Sequence, residues 1–327
     1  MAQAMEGRSS SEAILSESHG AELLSKLPSR EGWSEPLVLY NNYWIRPRLA
    51  ATIMRLESSF RPRHDDIILA SNPKCGTTWM KALAFAITNR SRYDFATDHP
   101  LLSRHPQEVV PFIEIPPDGG INYVETLPSP RLLATHMPLS LFPKSLAASP
   151  GCRIVYVCRD PKDAFVSRWH FENRICRGNN IDFEDAFSMF SEGFSAYGPF
   201  WEHCLEYWRE STTSPDKVLF LKYEDLMSEP VKCVKRLAAF LGVPFSTKEE
   251  EDGIPEEVVR LCSFDKLSTL HSNQAGDMVR RGNLIIEKSV FFRKGKVGDW
   301  VNHMTEEMGR KLDCIVEEKL KGSGLVL

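Results

Sequence analysis

Residues 67–79 read Ile-Ile-Leu-Ala-Ser-Asn-Pro-Lys-Cys-Gly-Thr-Thr-Trp, and this stretch decides the fold. Its first five residues form a short apolar run with little alternation, which predicts a strand buried on both faces of a parallel sheet. An apolar pattern over 77–89 predicts a helix directly after the loop. A buried strand followed at once by a helix is the first half of a parallel strand–helix–strand unit, so this stretch favours an α/β fold.

Three further apolar runs have the same character and predict three more strands of one sheet, at 131–135, 153–158 and 217–222. Helical patterns lie between them. One begins at Asp160-Pro161, where Asp is a good N-cap and Pro suits the first turn. Strands and helices therefore alternate. We predict an α/β fold, a single domain with a central, mainly parallel sheet flanked by helices and with a P-loop-like anion-binding loop.

Composition excludes several classes of protein. The 327 residues are 42% hydrophobic and 26% charged, as in an ordinary globular chain. A net charge of −4 argues against binding nucleic acid through its phosphates but leaves room for a local basic pocket. No apolar run approaches the ~20 residues of a membrane helix. We expect no nucleic-acid or membrane partner, and a disordered tail at 1–30 before a domain at 31–327.

The cysteines and the N-terminal sequence bear on location and metal content. Eight cysteines are scattered along the chain, with no CxxC pair and no Cys/His cluster, so we expect no metal site. Free thiols are typical of a reducing compartment. The first twenty residues lack the basic and apolar regions of a secretory signal. We therefore expect a cytoplasmic protein.

The loop between the first strand and its helix has residue types that bind a phosphate group. Backbone N–H groups at a helix start attract anions, and Gly76 lets the backbone approach a ligand closely. Lys74 adds a cation, and Thr77 and Thr78 add hydroxyl groups. The alternative is an ordinary strand-to-helix turn with two threonine caps. The loop is not a Walker A motif, in which the lysine follows the second glycine.

Residues 73–79 resemble the 5′-phosphosulfate loop of the soluble, cytosolic sulfotransferases, whose family pattern is P-K-S-G-T-T-W. Members of that family use 3′-phosphoadenosine 5′-phosphosulfate (PAPS) as co-substrate. The resemblance covers about residues 35–320, and the wording of several motifs is similar to plant members. Cys75 departs from the pattern at a variable position, where the backbone should matter more than the side chain. The resemblance implies a phosphosulfate-binding loop and a sulfuryl transferase without a metal ion.

His136 is the candidate general base. It follows the second predicted strand, at the sheet edge where ligands of such folds bind, and imidazole can take a hydroxyl proton. Taken alone, a histidine at a strand end is more often a structural hydrogen-bonding group. The segment Thr-His-Met-Pro at 135–138 is similar to the family's catalytic histidine segment. The resemblance implies that His136 deprotonates the acceptor while Lys74 stabilises charge on the leaving oxygen. Ala134 stands where animal members often have a lysine.

Two further segments predict a site for a second phosphate. Arg159 ends the third strand and Ser167 lies two helical turns later, so a guanidinium and a hydroxyl group can share one phosphate. The alternative is an arginine paired with Asp160 or Asp163. The basic loop at 293–296, taken alone, predicts a solvated turn. It is, however, similar to the family's R-K-G-x-x-G-D-W segment, which closes over the nucleotide. The resemblance also implies adenine contacts from Tyr223 and Trp79.

The expected PAPS-binding residues are these: Lys74, Cys75, Gly76, Thr77, Thr78, Trp79, Arg159, Ser167, Tyr223, Cys262, Ser263, Phe264, Arg293, Lys294 and Gly295. Cys262 stands in place of the family's usual threonine, which leaves its contact with the nucleotide open. Three alternatives to a cytosolic sulfotransferase remain. A P-loop kinase lacks support because the G-K-[ST] and metal-aspartate signals are absent. An inactive nucleotide-binding protein is disfavoured by Lys74 and His136, and a Golgi carbohydrate sulfotransferase by the missing signal anchor.

The acceptor is expected to be a small, largely apolar molecule with a hydroxyl group. The loops at about 95–125 and 265–290 predict an apolar cavity, with Phe112, Ile113, Tyr123, Leu267 and Leu270 among its candidate residues. Flavonoids, steroids, hydroxylated hormones, hydroxylated fatty-acid derivatives and desulfo-glucosinolates all fit this description. The animal family's short dimer motif is not evident after Trp300, so the oligomeric state stays open.

Overall fold

The computed structural model describes residues 23–115, 121–147, 149, 151–175, 180–281 and 284–327. Its strands, in chain order, are β1 Ser29–Arg30, β2 Leu37–Tyr40, β3 Tyr43–Ile45, β4 Ile67–Ala70, β5 Leu132–Thr135, β6 Arg153–Cys158, β7 Val218–Lys222, β8 Asp277–Arg281 and β9 Leu284–Glu287. The four central strands form one parallel sheet in the order β5-β4-β6-β7. These are the four strands that the apolar runs predict, so the α/β fold is confirmed.

Helices flank this sheet. In chain order they are α1 Pro47–Ser59, α2 Thr77–Asn89, α3 Pro106–Val109, α4 Ile121–Thr126, α5 Lys144–Ala147, α6 Pro161–Ile175, α7 Phe183–Ser191, α8 Phe200–Thr213, α9 Tyr223–Ser228, α10 Pro230–Phe240, α11 Thr247–Glu251, α12 Ile254–Leu261, α13 Phe264–Thr269, α14 His271–Gln274 and α15 Glu306–Leu320. Among the described helices, none is both long and apolar enough to span a bilayer.

Strand β4 is an inner strand of the central sheet, and this position explains its composition. It pairs with β5 on one side and with β6 on the other. Ile68 and Ala70 pack into the apolar core on one face of the sheet, while Ile67 and Leu69 pack into the core on the other face. Both faces being covered, no position favours a polar residue. Each large apolar side chain buried here contributes about 1.5–3 kcal/mol.

Because the four strands are parallel, their carboxyl ends meet at one edge of the sheet. Ser71 follows β4, His136 follows β5, Arg159 follows β6, and Tyr223 follows β7. Residues that lie far apart in the sequence are thereby brought to one edge, which is where ligands of parallel sheets bind.

The predicted boundary at residue 30 is wrong. Ser29 and Arg30 form β1, which pairs antiparallel with Leu37 and Val38 of β2, so the folded part begins before residue 31. The pairing escapes a sequence pattern because two-residue strands have no periodicity. Residues 1–22 of the predicted tail lie outside the described residues. The seven cysteines that lie within the described residues are free thiols, as expected.

Candidate active site

A cavity of about 500 Å³ lies at the carboxyl edge of the central sheet. The predicted residues that line it are Lys74, Gly76, Thr77, Thr78, Trp79, His136, Arg159, Ser167, Tyr223, Cys262, Ser263, Phe264, Arg293, Lys294 and Gly295. The structure therefore brings together residues spread over more than two hundred positions of sequence. Cys75 does not line the cavity, because its side chain is fully buried in the apolar core.

The loop before α2 has a backbone shape that only certain residues allow. Gly76 has φ +101° and Lys74 has φ +73°. A Cβ atom on Gly76 would lie 2.8 Å from Cδ2 of Tyr223. Glycine is therefore required here both by conformation and by the close approach of the tyrosine ring. The loop opens the first turn of α2 to the cavity, where unpaired N–H groups can meet an anion.

His136 is held in one tautomer. Its Nδ1 lies 2.8 Å from the carbonyl oxygen of Ser71. A carbonyl only accepts, so Nδ1 carries the proton in the neutral ring and Nε2 has the free lone pair. The backbone N–H of His136 donates to Oε1 of Glu114 at 2.6 Å. Burial lowers the pKa of His136 to about 3, so the ring is neutral near physiological pH.

A second layer of polar groups supports this histidine. His203 donates from Nε2 to the carbonyl oxygen of His136 at 2.9 Å, and its Nδ1 accepts from the Tyr156 hydroxyl at 2.9 Å. Glu114 also accepts from the Thr135 hydroxyl. The backbone on both sides of His136 is therefore fixed by buried hydrogen bonds, which limits the freedom of the ring.

Lys74 lies among other cations at the cavity. Its Nζ is 4.2 Å from the centre of the Phe171 ring. Burial, followed by repulsion from Arg159 and Arg293, lowers the pKa of Lys74 to about 7. Three cations that face one cavity favour a ligand that carries more than one negative charge.

Arg159 joins three segments. Its Nη2 donates to the carbonyl oxygen of Lys296 at 2.7 Å, and its Nη1 donates to the carbonyl oxygen of Lys74 at 3.4 Å. Its guanidinium carbon lies 4.6 Å from the centre of the Tyr223 ring. Its Nε is buried and has no hydrogen-bond partner among the described residues. The alternative pairing with Asp163 also exists, with Nη2 and Oδ2 3.4 Å apart. Arg159 thus has a structural partner and also faces the cavity.

Asp163 anchors the basic segment 293–300 over the cavity. Its Oδ2 accepts from the backbone N–H of Gly298 at 2.8 Å, and its Oδ1 accepts from that of Trp300 at 3.0 Å. A Cβ atom on Gly295 would collide with the ring of Phe264, so this segment packs directly on α13. From the sequence, Asp163 is only an alternative partner for Arg159. Its role as an anchor leaves no sequence pattern, because any residue except proline has a backbone N–H group that can donate to it.

Aromatic rings form another part of the cavity wall. Trp79 and Tyr223 meet edge to face with ring centres 5.5 Å apart, and the Nε1 of Trp79 is buried without a hydrogen-bond partner among the described residues. Cys262 is fully buried, and burial raises the pKa of its thiol. Aromatic rings beside an N–H donor that has no partner among the described residues suit a heteroaromatic base.

The structure places the predicted acceptor residues in different surroundings. Phe112 lies with its ring centre 4.8 Å from that of His136. Ile113 is fully buried in the core, and Leu267 lines the cavity. Phe171 and Phe291 line the cavity and were missed. Apolar residues in a loop do not reveal from sequence which of them face a cavity. Parts of both predicted loops, 116–120 and 282–283, lie outside the described residues.

The described residues also bear on metal binding. Within the part of the chain that the structure describes, no three His, Cys, Asp or Glu side chains are grouped as metal ligands. The absence of a metal from the reaction stays a prediction.

Comparisons with known proteins identify the family of the chain. The sulfotransferase domain model matches residues 64–324. Cytosolic sulfotransferase 17 of Arabidopsis thaliana is 42% identical over 97% of this chain and 93% of its own length. Cytosolic sulfotransferase 16 of the same plant is 43% identical over 93% of this chain and 91% of its own length.

Solved structures share the fold. An Arabidopsis thaliana protein, described as a candidate steroid sulphotransferase, is 36% identical with a TM-score of 0.72 over 94% of both chains. Retinol dehydratase was solved with androsterone and the inactive cofactor PAP. Its TM-score is 0.71 over 93% of both chains. At 21% identity this likeness shows the fold alone. The domain match and the plant relatives together establish the family: the chain is a PAPS-dependent sulfotransferase of the plant cytosolic type.

Proposed function

We propose that this enzyme transfers the sulfuryl group of PAPS to a hydroxyl group of a small, largely apolar acceptor. The products are a sulfate ester and adenosine 3′,5′-bisphosphate (PAP). One observation carries the proposal: His136, with Nδ1 tied to Ser71, and Lys74 both line the cavity that begins at the phosphate loop.

We assign the described residues that line the cavity to three parts of PAPS. The N–H groups at the start of α2 suit the 5′-phosphosulfate, and Arg159, Ser167 and Arg293 suit the 3′-phosphate. Trp79 and Tyr223 suit the adenine. The buried Nε of Arg159 and Nε1 of Trp79 supply donors for which no described residue provides an acceptor. Unpaired buried donors cost free energy unless a ligand accepts from them, which supports a nucleotide at this place.

The chemistry falls to two side chains. When bound, PAPS supplies the sulfuryl group and departs as PAP. His136 takes the acceptor's hydroxyl proton on Nε2, and Lys74 stabilises the charge that develops on the departing phosphate oxygen. The reaction is thus mostly positioning and electrostatics, and we propose that it needs no metal ion. Excess EDTA should leave turnover unchanged, and strong inhibition would instead support a metal-dependent kinase.

We assign the acceptor end to aromatic rings, two of which also contact lysines: Nζ of Lys74 lies 4.2 Å from the centre of the Phe171 ring, and Nζ of Lys81 lies 3.5 Å from that of Phe112. Phe112 packs against His136, and Phe171 and Phe291 lie with ring centres 5.8 Å apart. Such walls suit a flat or apolar acceptor such as a flavonoid, a steroid or a hydroxylated hormone. The similarity to a protein described as a candidate steroid sulphotransferase supports the steroid class. We further propose a cytoplasmic location, as the names of the plant relatives suggest.

Radiolabelled PAPS tests this function. We would incubate the full chain with ³⁵S-labelled PAPS and panels of flavonoids, steroids, hydroxylated fatty-acid derivatives and desulfo-glucosinolates. We expect label in the organic product of at least one class. PAPS binding without transfer to any class would favour an inactive nucleotide-binding protein, and magnesium-dependent ATP turnover would favour a kinase.

A further inference from the structure

Lys81 is a fully buried lysine that the proposed reaction does not use. It lies in α2, three residues after Thr78, and its exposed fraction is 0%. Its Nζ lies 3.5 Å from the centre of the Phe112 ring and contacts Oε1 of Gln107. Among the described residues, no carboxylate forms a salt bridge with it. The charge of Glu114 favours the ammonium form of Lys81, but burial outweighs it and lowers the pKa of Lys81 well below its usual value. A buried amino group with no salt bridge costs free energy and calls for a functional reason.

The contact with Lys81 sets the orientation of the Gln107 carboxamide. Charged or neutral, the lysine nitrogen carries N–H groups that the carboxamide oxygen accepts. With Oε1 turned to Lys81, the amide nitrogen Nε2 points to Thr78 and donates to its Oγ1 at 3.1 Å. The backbone N–H of Gln107 donates to Nδ1 of His105 at 3.0 Å, which fixes the residue on α3.

Thr78 is thereby left with a proton to donate. Its hydroxyl oxygen accepts from Gln107, and no described residue accepts the hydroxyl proton in return. The neighbouring Thr77 differs, because its hydroxyl is bonded to that of Ser71 at 2.6 Å. Thr78 and Gln107 both line the cavity beside Lys74. An anion at the start of α2 is therefore the natural acceptor for the Thr78 hydroxyl.

We propose that Lys81 is a positioning residue which, through Gln107, holds the Thr78 hydroxyl as a hydrogen-bond donor to the 5′-phosphosulfate of PAPS. This inference rests on the proposed function, since it takes PAPS as the anion. It also gives the enzyme a fixed donor close to the group that is transferred, without placing another free cation in the cavity.

Calorimetric titration separates this role from a general effect on folding. The two probes are PAPS and adenosine 3′-phosphate, which lacks the 5′ anion. Thr78→Val, Lys81→Met and Gln107→Met should each weaken PAPS binding about tenfold, the usual scale for one hydrogen bond to a charged group. Adenosine 3′-phosphate should bind each variant within about twofold of wild type. Gln274→Met, at an exposed glutamine that donates to the Ser268 carbonyl, should change neither affinity.

A double-mutant cycle provides the decisive comparison. Because all three residues act through one hydroxyl group, Lys81→Met in the Thr78→Val background should cost no more than Thr78→Val alone. Losses that multiply to about a hundredfold, or equal weakening of adenosine 3′-phosphate, would overturn the inference. If Lys81→Met does not fold, the cycle of Gln107→Met with Thr78→Val decides in its place. A wild type that binds no PAPS would overturn the proposed function itself, and this inference with it.

Discussion

The imidazole Nδ1 of His136 lies 2.8 Å from the carbonyl oxygen of Ser71, the residue that follows the central strand β4. This contact ties the candidate base to the strand that carries the phosphate loop. It also leaves Nε2 as the free nitrogen of the ring. The position and the tautomer of the candidate base are therefore set by the backbone that also leads into the candidate anion-binding loop.

Replacing His136 should separate binding from turnover. His136→Ala removes the proton acceptor but none of the groups that face the nucleotide, so PAP affinity should stay within about twofold while kcat falls about 10²–10⁴-fold. Calorimetry with PAP and a ³⁵S transfer assay measure the two effects. His64→Ala, at a side chain that is 86% exposed, is the matched control. Normal turnover by His136→Ala would remove the residue from the mechanism.

Nucleotide binding should depend on pH through Lys74. The pKa of Lys74 in the free enzyme is lowered to about 7, so the amino group loses its charge as pH rises through that value. An anionic ligand binds the charged form better and raises the pKa again, so PAP affinity should fall from about pH 7 upward. Calorimetry at several pH values, in buffers of different ionisation enthalpy, should also show proton uptake on binding.

Lys74→Met is the control for this pH effect. It should bind PAP weakly, and the fall in affinity above about pH 7 should be absent. A wild type whose PAP affinity stays constant between about pH 6 and about pH 9 would contradict the assignment.

Asp163→Asn should loosen the segment 293–300. An amide offers one accepting oxygen, whereas the Asp163 carboxylate receives the N–H groups of Gly298 and Trp300 on different oxygens. We expect PAP affinity to fall about tenfold, and trypsin to cleave the segment faster in the absence of PAP. Asp160→Asn, three residues earlier at the start of α6, keeps a good N-cap and should show neither change. Equal cleavage rates in both variants would count against the anchor.

The sequence predicts the central sheet because its strands are buried on both faces and therefore apolar throughout. The boundaries of β4, β5 and β7 lie within one residue of the predicted runs, and β6 agrees at both ends. Motifs at strand ends predict the cavity residues for a related reason, since parallel strands bring their carboxyl ends together. The five strands β1, β2, β3, β8 and β9 lie outside this sheet, in two small antiparallel sheets, and were not predicted.

Other parts of the site depend on contacts that a linear pattern does not contain. Glu114 and His203 support His136 from a loop and from α8, and neither belongs to a recognisable motif. Lys81 looks like a surface lysine in the sequence but is fully buried. Ile113 looks like a pocket residue but is part of the core. In each case tertiary packing, rather than residue type, decides the role.

The central claim is that the cavity binds a nucleotide with anionic groups at both its 3′ and 5′ ends, and one set of titrations tests it most directly. We would measure the affinities of PAPS, PAP, adenosine 5′-phosphosulfate and AMP for the wild type and for Arg159→Ala. The guanidinium groups of Arg159 and Arg293 lose a partner when the 3′-phosphate is absent, so PAPS and PAP should bind at least about a hundredfold more tightly than the other two. Arg159→Ala should narrow that difference and leave the ligands without a 3′-phosphate nearly unaffected. Equal affinities of the wild type for PAPS and adenosine 5′-phosphosulfate would contradict both the second phosphate site and the choice of PAPS as donor.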